Sequence, residues 1–336
     1  MEKPSLNPRT LFIQAGAANV ATRPTSHAKR TRQKGIYAAL ASAMFLGMTP
    51  IFGKQAILLG AEPLAVVAMR TSFAALILFV GLFLFARRYL YIYPAGLLGC
   101  LLAGWINGIG SLFYYTALGR IDASVGHLLY SLYPFFMIIW LSLDRQSPGR
   151  LTLFRLVLAI PAVFLLTQAS SGRLDPIGMA QMLVAAALYA LHIPINQRVL
   201  FDMPAPTVTV YTLFAMSTVV VPVYLFSGTN PFPGGFPVWE AIFGLTLVTF
   251  LSRLMLFMGV KHLGGMQTAL LGLSELLVAI GFAYGWLGER MSQLQWIGAA
   301  VLSLSLFLVI FEKPATRKAY TTGWLSWLHP SDGAMK

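Results

Sequence analysis

Glu275 stands eleven residues past Gly264 in an apolar stretch, too far from either end for so short a side chain to reach water. An ionised group at such a depth costs at least about 2.5–3.5 kcal/mol, so it is retained for a reason. Two chemistries fit: a carboxylate that takes up a proton or a cationic group, or a protonated carboxyl bonded to a neighbouring helix. Arg70 and Arg253 also interrupt apolar stretches. Each lies about 10 Å from the nearer end at 1.5 Å per residue. Their length allows them to reach headgroups, or to guide an anionic group from opposite faces of the membrane. His127 and His192 titrate near neutral pH and suit either proton coupling or a structural hydrogen bond between helices. They share no metal-ligand spacing, and no metal or other cofactor is implied. The aromatic residues Trp105, Tyr114, Tyr115, Tyr130, Tyr133, Tyr189 and Tyr211 fall in the same kind of stretch. Together they permit a cavity for an amphipathic solute, although packing explains any single one.

The elements that hold these residues follow from composition. Of the 336 residues, 57% are apolar and 10% charged, against about 25% charged in soluble domains. Runs such as 95–119 contain no charge and meet the requirement of about 20 apolar residues for a crossing. The lipid bilayer is the expected surrounding. Apolar helical segments are predicted near 35–58, 63–85, 94–118, 121–143 and 151–169, then 175–198, 205–227, 237–260, 264–287 and 292–311. Glycine and proline clusters separate them, the densest being GTNPFPGGFP from Gly228 to Pro237. Pro50, Pro134, Pro161, Pro194 and Pro222 are read as interruptions inside helices. Gly104-x-x-x-Gly108 and Gly281-x-x-x-Gly285 allow tight helix crossings and leave a homodimer open without requiring one.

The net charge of +13 is concentrated at the ends of these segments. Seven basic residues precede Gly35 and four follow Phe311. With a cytoplasmic amino terminus and ten spans, Arg87, Arg88, Arg145, Arg150, Arg155, Arg198 and Lys261 join them, making 18 of 24 on the inner side. The outer loops hold Lys54, Arg120, Arg173 and Arg290. That bias obeys the positive-inside rule and would be scrambled by losing one span. Both termini are therefore expected in the cytoplasm of a multi-pass plasma-membrane protein. With no basic folded domain present, nucleic acid is not an expected partner. The single cysteine, Cys100, excludes an intramolecular disulfide. No secretory signal is apparent, and Glu2 with the sparse apolar content weakens an organellar reading of the basic segment 1–34, which is expected to lack order. In the last segment, 313–336, Trp324, Leu325, Trp327 and Leu328 suggest a short stretch lying in the headgroups or a disordered tail.

The chain also resembles itself. Met69-Arg70-Thr71-Ser72-Phe73-Ala74 matches Val210-Tyr211-Thr212-Leu213-Phe214-Ala215, and Ala117 to Tyr133 lies without gaps on Gly259 to Glu275. This pairs Glu275 with Tyr133 and Arg253 with Ser111, and suggests that Glu275 and Tyr133 face each other across a central cavity. Five helices per copy, 35–170 and 175–312, place the second upside down. The expected fold is an all-α membrane protein of ten transmembrane helices in two inverted-topology repeats, an arrangement that suits transport.

Several motifs resemble the EamA-type domain of the drug/metabolite transporter superfamily. Ser274-Glu275 runs into GWLGERMSQLQWIGAAVLSLSLFLV, with Gly288, Glu289, Arg290 and Gly298 in the family's turn and tenth helix. In the first half, TPIFGKQAILLGAEPLAVVAMR and YYTALGRIDASVGHLLYSLYP place Lys54, Pro63, Arg70, Asp122 and Pro134 where that family has such residues. Asp144-Arg145-Gln146 departs from the usual Gly-Glu-Arg turn. The resemblance covers 35–311 and implies a secondary transporter of small organic solutes, proton-coupled or exchanging, and no enzyme. A membrane-embedded enzyme would need a nucleophile, base or metal cluster. A scaffold would have no use for Glu275 and Arg253.

Overall fold

A computed structural model describes residues 26–118, 120–121, 126, 129–145, 148–167, 175–228, 235–278, 281, 292–311, 324–325 and 328. Among them are ten α-helices and no strand: α1 (Ser26–Leu58), α2 (Pro63–Phe85), α3 (Pro94–Leu118), α4 (Tyr133–Leu143), α5 (Arg150–Thr167), α6 (Pro176–Asp202), α7 (Ala205–Phe226), α8 (Phe236–Leu263), α9 (Gly265–Gly272) and α10 (Gln293–Phe307). Five of these, α2, α3, α6, α7 and α8, have the length and apolar content of a membrane crossing. The protein is a multi-pass membrane protein.

Local signals account for most helix ends. Prolines occupy the first turn of α2, α4, α6, α7 and α8, where a missing N–H costs nothing. The Asp175 carboxylate caps α6 by accepting from the Ile177 N–H at 3.1 Å, and Ser292 with Gln295 forms a capping box on α10. Gly264, at φ 92°, turns α8 into α9 in a single residue, a conformation open mainly to glycine.

Four differences from the sequence reading are physical. Helix α1 starts at Ser26, nine residues before the expected boundary, so Arg30, Arg32 and Lys34 extend it as a basic first stretch. Pro134 opens α4 instead of interrupting it, whereas Pro161, Pro194 and Pro222 do lie inside helices. The ninth helix breaks at Leu273 and resumes at Ser274. Leu325 and Leu328, expected either at the headgroups or in a disordered tail, are buried in a cluster with Ala103 and Ile195. Lys54, Pro50, His127, Asp122, Trp327, Gly285 and the Gly288-Glu289-Arg290 turn carry expectations on side chains outside the described residues.

Helices of the two halves interleave, and the partnerships correspond when five is added to a helix number. α1 packs along α8 as α6 packs along α3; α2 meets α8 as α7 meets α3; α1 meets α9 as α6 meets α4. The pairs α2–α7, α4–α9 and α5–α10 are their own counterparts. Several contacts break the correspondence: α8 packs on α9 and α6 touches α8, without comparable contacts between α3 and α4 or between α1 and α3. Gly104 and Gly108 make the α3–α7 crossing close enough that a Cβ on Gly104 would stand 2.6 Å from the Thr212 carbonyl oxygen. The tight crossing expected there is present.

Charged side chains also join the halves. Arg155 and Arg198 are the bulkiest fully buried side chains among the described residues. The Arg155 Nε donates to the Ser305 carbonyl and the Ser305 hydroxyl donates to the Arg155 carbonyl, both at 2.9 Å, tying α5 to α10. Arg198 of α6 donates to Asp144 at the end of α4, at 2.6 and 3.2 Å. An exposed pair, Arg120 with Asp175 at 3.3 Å, joins the end of α3 to the start of α6.

Candidate functional site

Three helices converge on Arg253. From α8 its guanidinium contacts the His192 Nε2 on α6 at 3.2 Å. The Asn107 side-chain oxygen on α3 accepts from both terminal guanidinium nitrogens, at 3.0 and 3.2 Å, in the amide orientation that satisfies both groups. His192 Nδ1 faces the Tyr189 carbonyl. Because a guanidinium can only donate, Nε2 must accept and the ring proton must sit on Nδ1, directed at that carbonyl. The contact between α6 and α8 that breaks the twofold correspondence contains this node.

From Arg253 a chain of aromatic rings leads to Arg70. The Arg253 guanidinium lies 5.5 Å from the Tyr189 ring centre. Tyr189 meets Tyr130 at 5.4 Å and Tyr133 at 5.0 Å; Tyr130 meets Tyr114 at 4.9 Å; Tyr114 meets Tyr115 at 5.3 Å. Tyr115 receives the Arg70 guanidinium 5.3 Å from its centre. Two cations separated by tilted and edge-on rings form one continuous seam through α2, α3, α4, α6 and α8. Helical spacing puts Asn107, Ser111 and Tyr114 on one face of α3, and Tyr189, His192 and Asn196 on one face of α6.

Glu275 borders the seam. It is buried, and Tyr114, Tyr130, Tyr133 and Tyr189 all lie within electrostatic reach of it. Among the described residues its carboxylate makes no hydrogen bond or ion pair, and it is not matched with Arg253. It sits just past the break at Leu273, where Ser274 donates back to the Leu271 carbonyl at 2.7 Å. Its backbone oxygen packs against Gly47 of α1. Tyr133 crosses to the same helix differently: its hydroxyl donates to the Ala269 carbonyl at 2.6 Å and fits against Gly272. Glu275 and Tyr133 thus come near one another with Tyr133 engaged in a helix–helix bond.

The structure therefore brings together Glu275, Arg253, Arg70, Tyr115, Tyr133 and His192, with Tyr114, Tyr130 and Tyr189 between them. It leaves out two of the proposed aromatic residues. Trp105 is 43% exposed and donates its indole N–H to Thr218 at 3.1 Å on the outer surface. Tyr211 donates to the Leu90 carbonyl at 2.7 Å and holds the α2–α3 connection on α7. The expected His127 contribution lies outside the described residues. Asn107 is the member the sequence reading missed, although a carboxamide four residues before Ser111 in an apolar run was a visible signal. A small apolar recess between α4, α5 and α9, lined by Phe135, Leu156, Ile160 and Leu273 among others, contains none of these residues.

A family model described as the EamA-like transporter family matches the chain twice, over residues 33–168 and 176–311. No match is found among curated proteins. Chains of solved structures do match, and one, titled only as the crystal structure of a protein, is 13% identical. It superimposes with a TM-score of 0.69 and covers 83% of this chain and 98% of its own length. At that identity the likeness concerns the fold alone.

Proposed function

The chain belongs to the EamA-like transporter family, and we propose that it is a secondary transporter of small organic solutes, working by alternating access. In this reading all ten helices cross the plasma membrane, the two halves are inverted copies, and both termini are cytoplasmic. The i-to-i+5 correspondence of helix contacts supports the inverted pairing. The solute path is the tyrosine seam between Arg70, Arg253 and Glu275.

The observation that carries the proposal is the unpaired relation of Glu275 and Arg253. A buried carboxyl and a partly buried guanidinium border the same rings, yet Arg253 is held by neutral acceptors and Glu275 has no partner among the described residues. A purely structural pair would be expected to meet, because a charge withdrawn from water otherwise bears its desolvation alone. Keeping them apart leaves both available to a solute or a proton. An embedded enzyme would require a nucleophile beside a base; the pair actually formed, His192 with Arg253, is not one.

The test is counterflow of labelled solutes in liposomes across a metabolite panel, with Glu275→Gln alongside. The wild type should exchange at least one solute, and the variant should lose gradient-driven uptake. Folded wild-type protein that exchanges nothing would overturn the transporter reading. Uptake by Glu275→Gln with an unchanged pH profile would remove the carboxylate from the mechanism.

A further inference from the structure

Two buried arginines show what the Nε side of a guanidinium takes in this fold. Arg198 presents Nε and Nη2 to the Asp144 carboxylate, at 3.2 and 2.6 Å. Arg155 gives its Nε to the Ser305 carbonyl at 2.9 Å. Arg253 differs from both. Its Nη1 donates to His192 and to Asn107, and its Nη2 donates to Asn107. Those bonds place three of the five N–H donors of the fork. The other two are the Nε–H and the second Nη2–H, side by side on the edge that Arg198 turns to Asp144. Among the described residues neither has an acceptor, and Arg253 is only partly buried.

We propose that this edge of Arg253 binds a carboxylate of the solute, which makes the solute an amphipathic molecule anchored by one carboxylate group. The inference rests on the transporter reading of the seam and names the class of solute that the seam takes. The fork is set before the solute arrives. Asn107 on α3 and His192 on α6 fix the guanidinium from two sides, and the Tyr189 ring centre lies 5.5 Å from it. A fixed planar fork matches the two oxygens of a carboxylate. Charge limits the ligand to a single anionic group. Asn107 and a histidine that accepts at Nε2 are neutral, so the node supplies one positive charge. A doubly ionised phosphate would keep an uncompensated charge beside apolar rings. Tyr189 and Tyr130, 5.4 Å apart, suit an apolar body behind the carboxylate. Arg70 offers no equal seat, since it meets the face of Tyr115 and has no acceptor among the described residues to orient its Nε. Asn107 and His192 are thus positioning residues for the anchor.

The test reads binding without transport, as thermal stabilisation of the purified full chain in detergent. The probes are hexanoate, octanoate, 3-phenylpropionate, leucine and phenylalanine, each beside its primary amide, with phenyl phosphate as the competing anion. The dependence of melting temperature on probe concentration gives the affinities. At least one acid should bind about tenfold or more tightly than its amide. Arg253→Gln should bring that ratio to about one, and Arg253→Lys, which keeps the charge and loses the fork, should fall between. Should the Arg253 variants fail to fold, Asn107→Asp decides. It keeps the acceptor and hands the guanidinium an internal counter-charge, so the acid should lose its advantage. The proposal is overturned if no acid stabilises folded wild type, if acids and amides bind alike, or if phenyl phosphate binds as tightly as the best acid. An acid preference that survives in Arg253→Gln or Asn107→Asp overturns it as well. Counterflow of neutral solutes with no acid preference would remove the carboxylate anchor and leave the transporter standing. Acid-specific stabilisation without any counterflow would do the reverse.

Discussion

Arg253 and His192 meet at 3.2 Å with the histidine as acceptor, an arrangement that predicts a seat for the cation in preference to a carrier of protons. A second proton on that ring would face a guanidinium at hydrogen-bond distance. His192→Ala should lower stability by about 1.5–3 kcal/mol, the range for a hydrogen bond to a charged group. His192→Gln, which keeps an acceptor, should lose less. Thermal unfolding of the purified variants checks the order. The pH profile of exchange should keep its shape in His192→Gln; a profile that flattens would return the histidine to proton coupling.

Among the described residues Arg70 meets the seam at the face of Tyr115, and its Nε has no hydrogen-bond partner there. A bare positive charge then accounts for its role, and Arg70→Lys should keep most of the exchange rate. Arg70→Ala should slow exchange on the order of tenfold, the factor that accompanies a loss of about 1.4 kcal/mol. Initial counterflow rates separate the two. Equal losses would show that the planar fork of the guanidinium is needed.

Gly104 and Gly81 form a matched pair. A methyl on Gly104 would enter the Thr212 backbone, whereas one on Gly81 meets nothing within 4 Å. Gly104→Ala should destabilise by about 1–3 kcal/mol through overpacking. Gly81→Ala should be neutral or gain up to about 1 kcal/mol from helix propensity. Melting temperatures falling together in both variants would contradict the crossing described here.

Asp175 caps α6 at the exposed ion pair. The Ile177 N–H, and after it Arg120, hold its carboxyl below the ordinary value of 3.8. A lowered folded-state value means that the contribution is complete above the unfolded value and is lost as pH falls through the folded one. The difference in melting temperature between wild type and Asp175→Asn should therefore be constant near neutrality and shrink towards zero below about pH 3.8. A difference that persists in acid would mean that the carboxylate is not the source.

Much of this was legible in the sequence for stated reasons. Glu275, Arg70 and Arg253 stand out because a charge in an apolar run is costly wherever it points. Helix ends at Pro63, Pro176 and Gly264 follow from backbone chemistry alone. Periodicity does not say which neighbour a face will meet, which is why Trp105 and Tyr211 looked equivalent to Tyr189 and are not. Asp144 was noticed as a departure from a turn pattern, but its partners, Arg198 and Leu325, lie 54 and 181 residues away. The burial of Leu325 and Leu328 was hidden for the same reason: two leucines in a polar tail read as lipid-seeking until a groove exists to receive them.

The reciprocal bonds between Arg155 and Ser305 bear on how the chain can be divided. The fifth helix of each half finds its main partner in the fifth helix of the other, and α1 and α3 likewise lean on α8 and α6. Neither half encloses its own core, so a fragment ending near residue 170 would strand a buried arginine with its acceptor missing. Two fragments expressed together should recover a working molecule that neither produces alone, and the repeat visible in the sequence is a unit of ancestry without being a unit of folding.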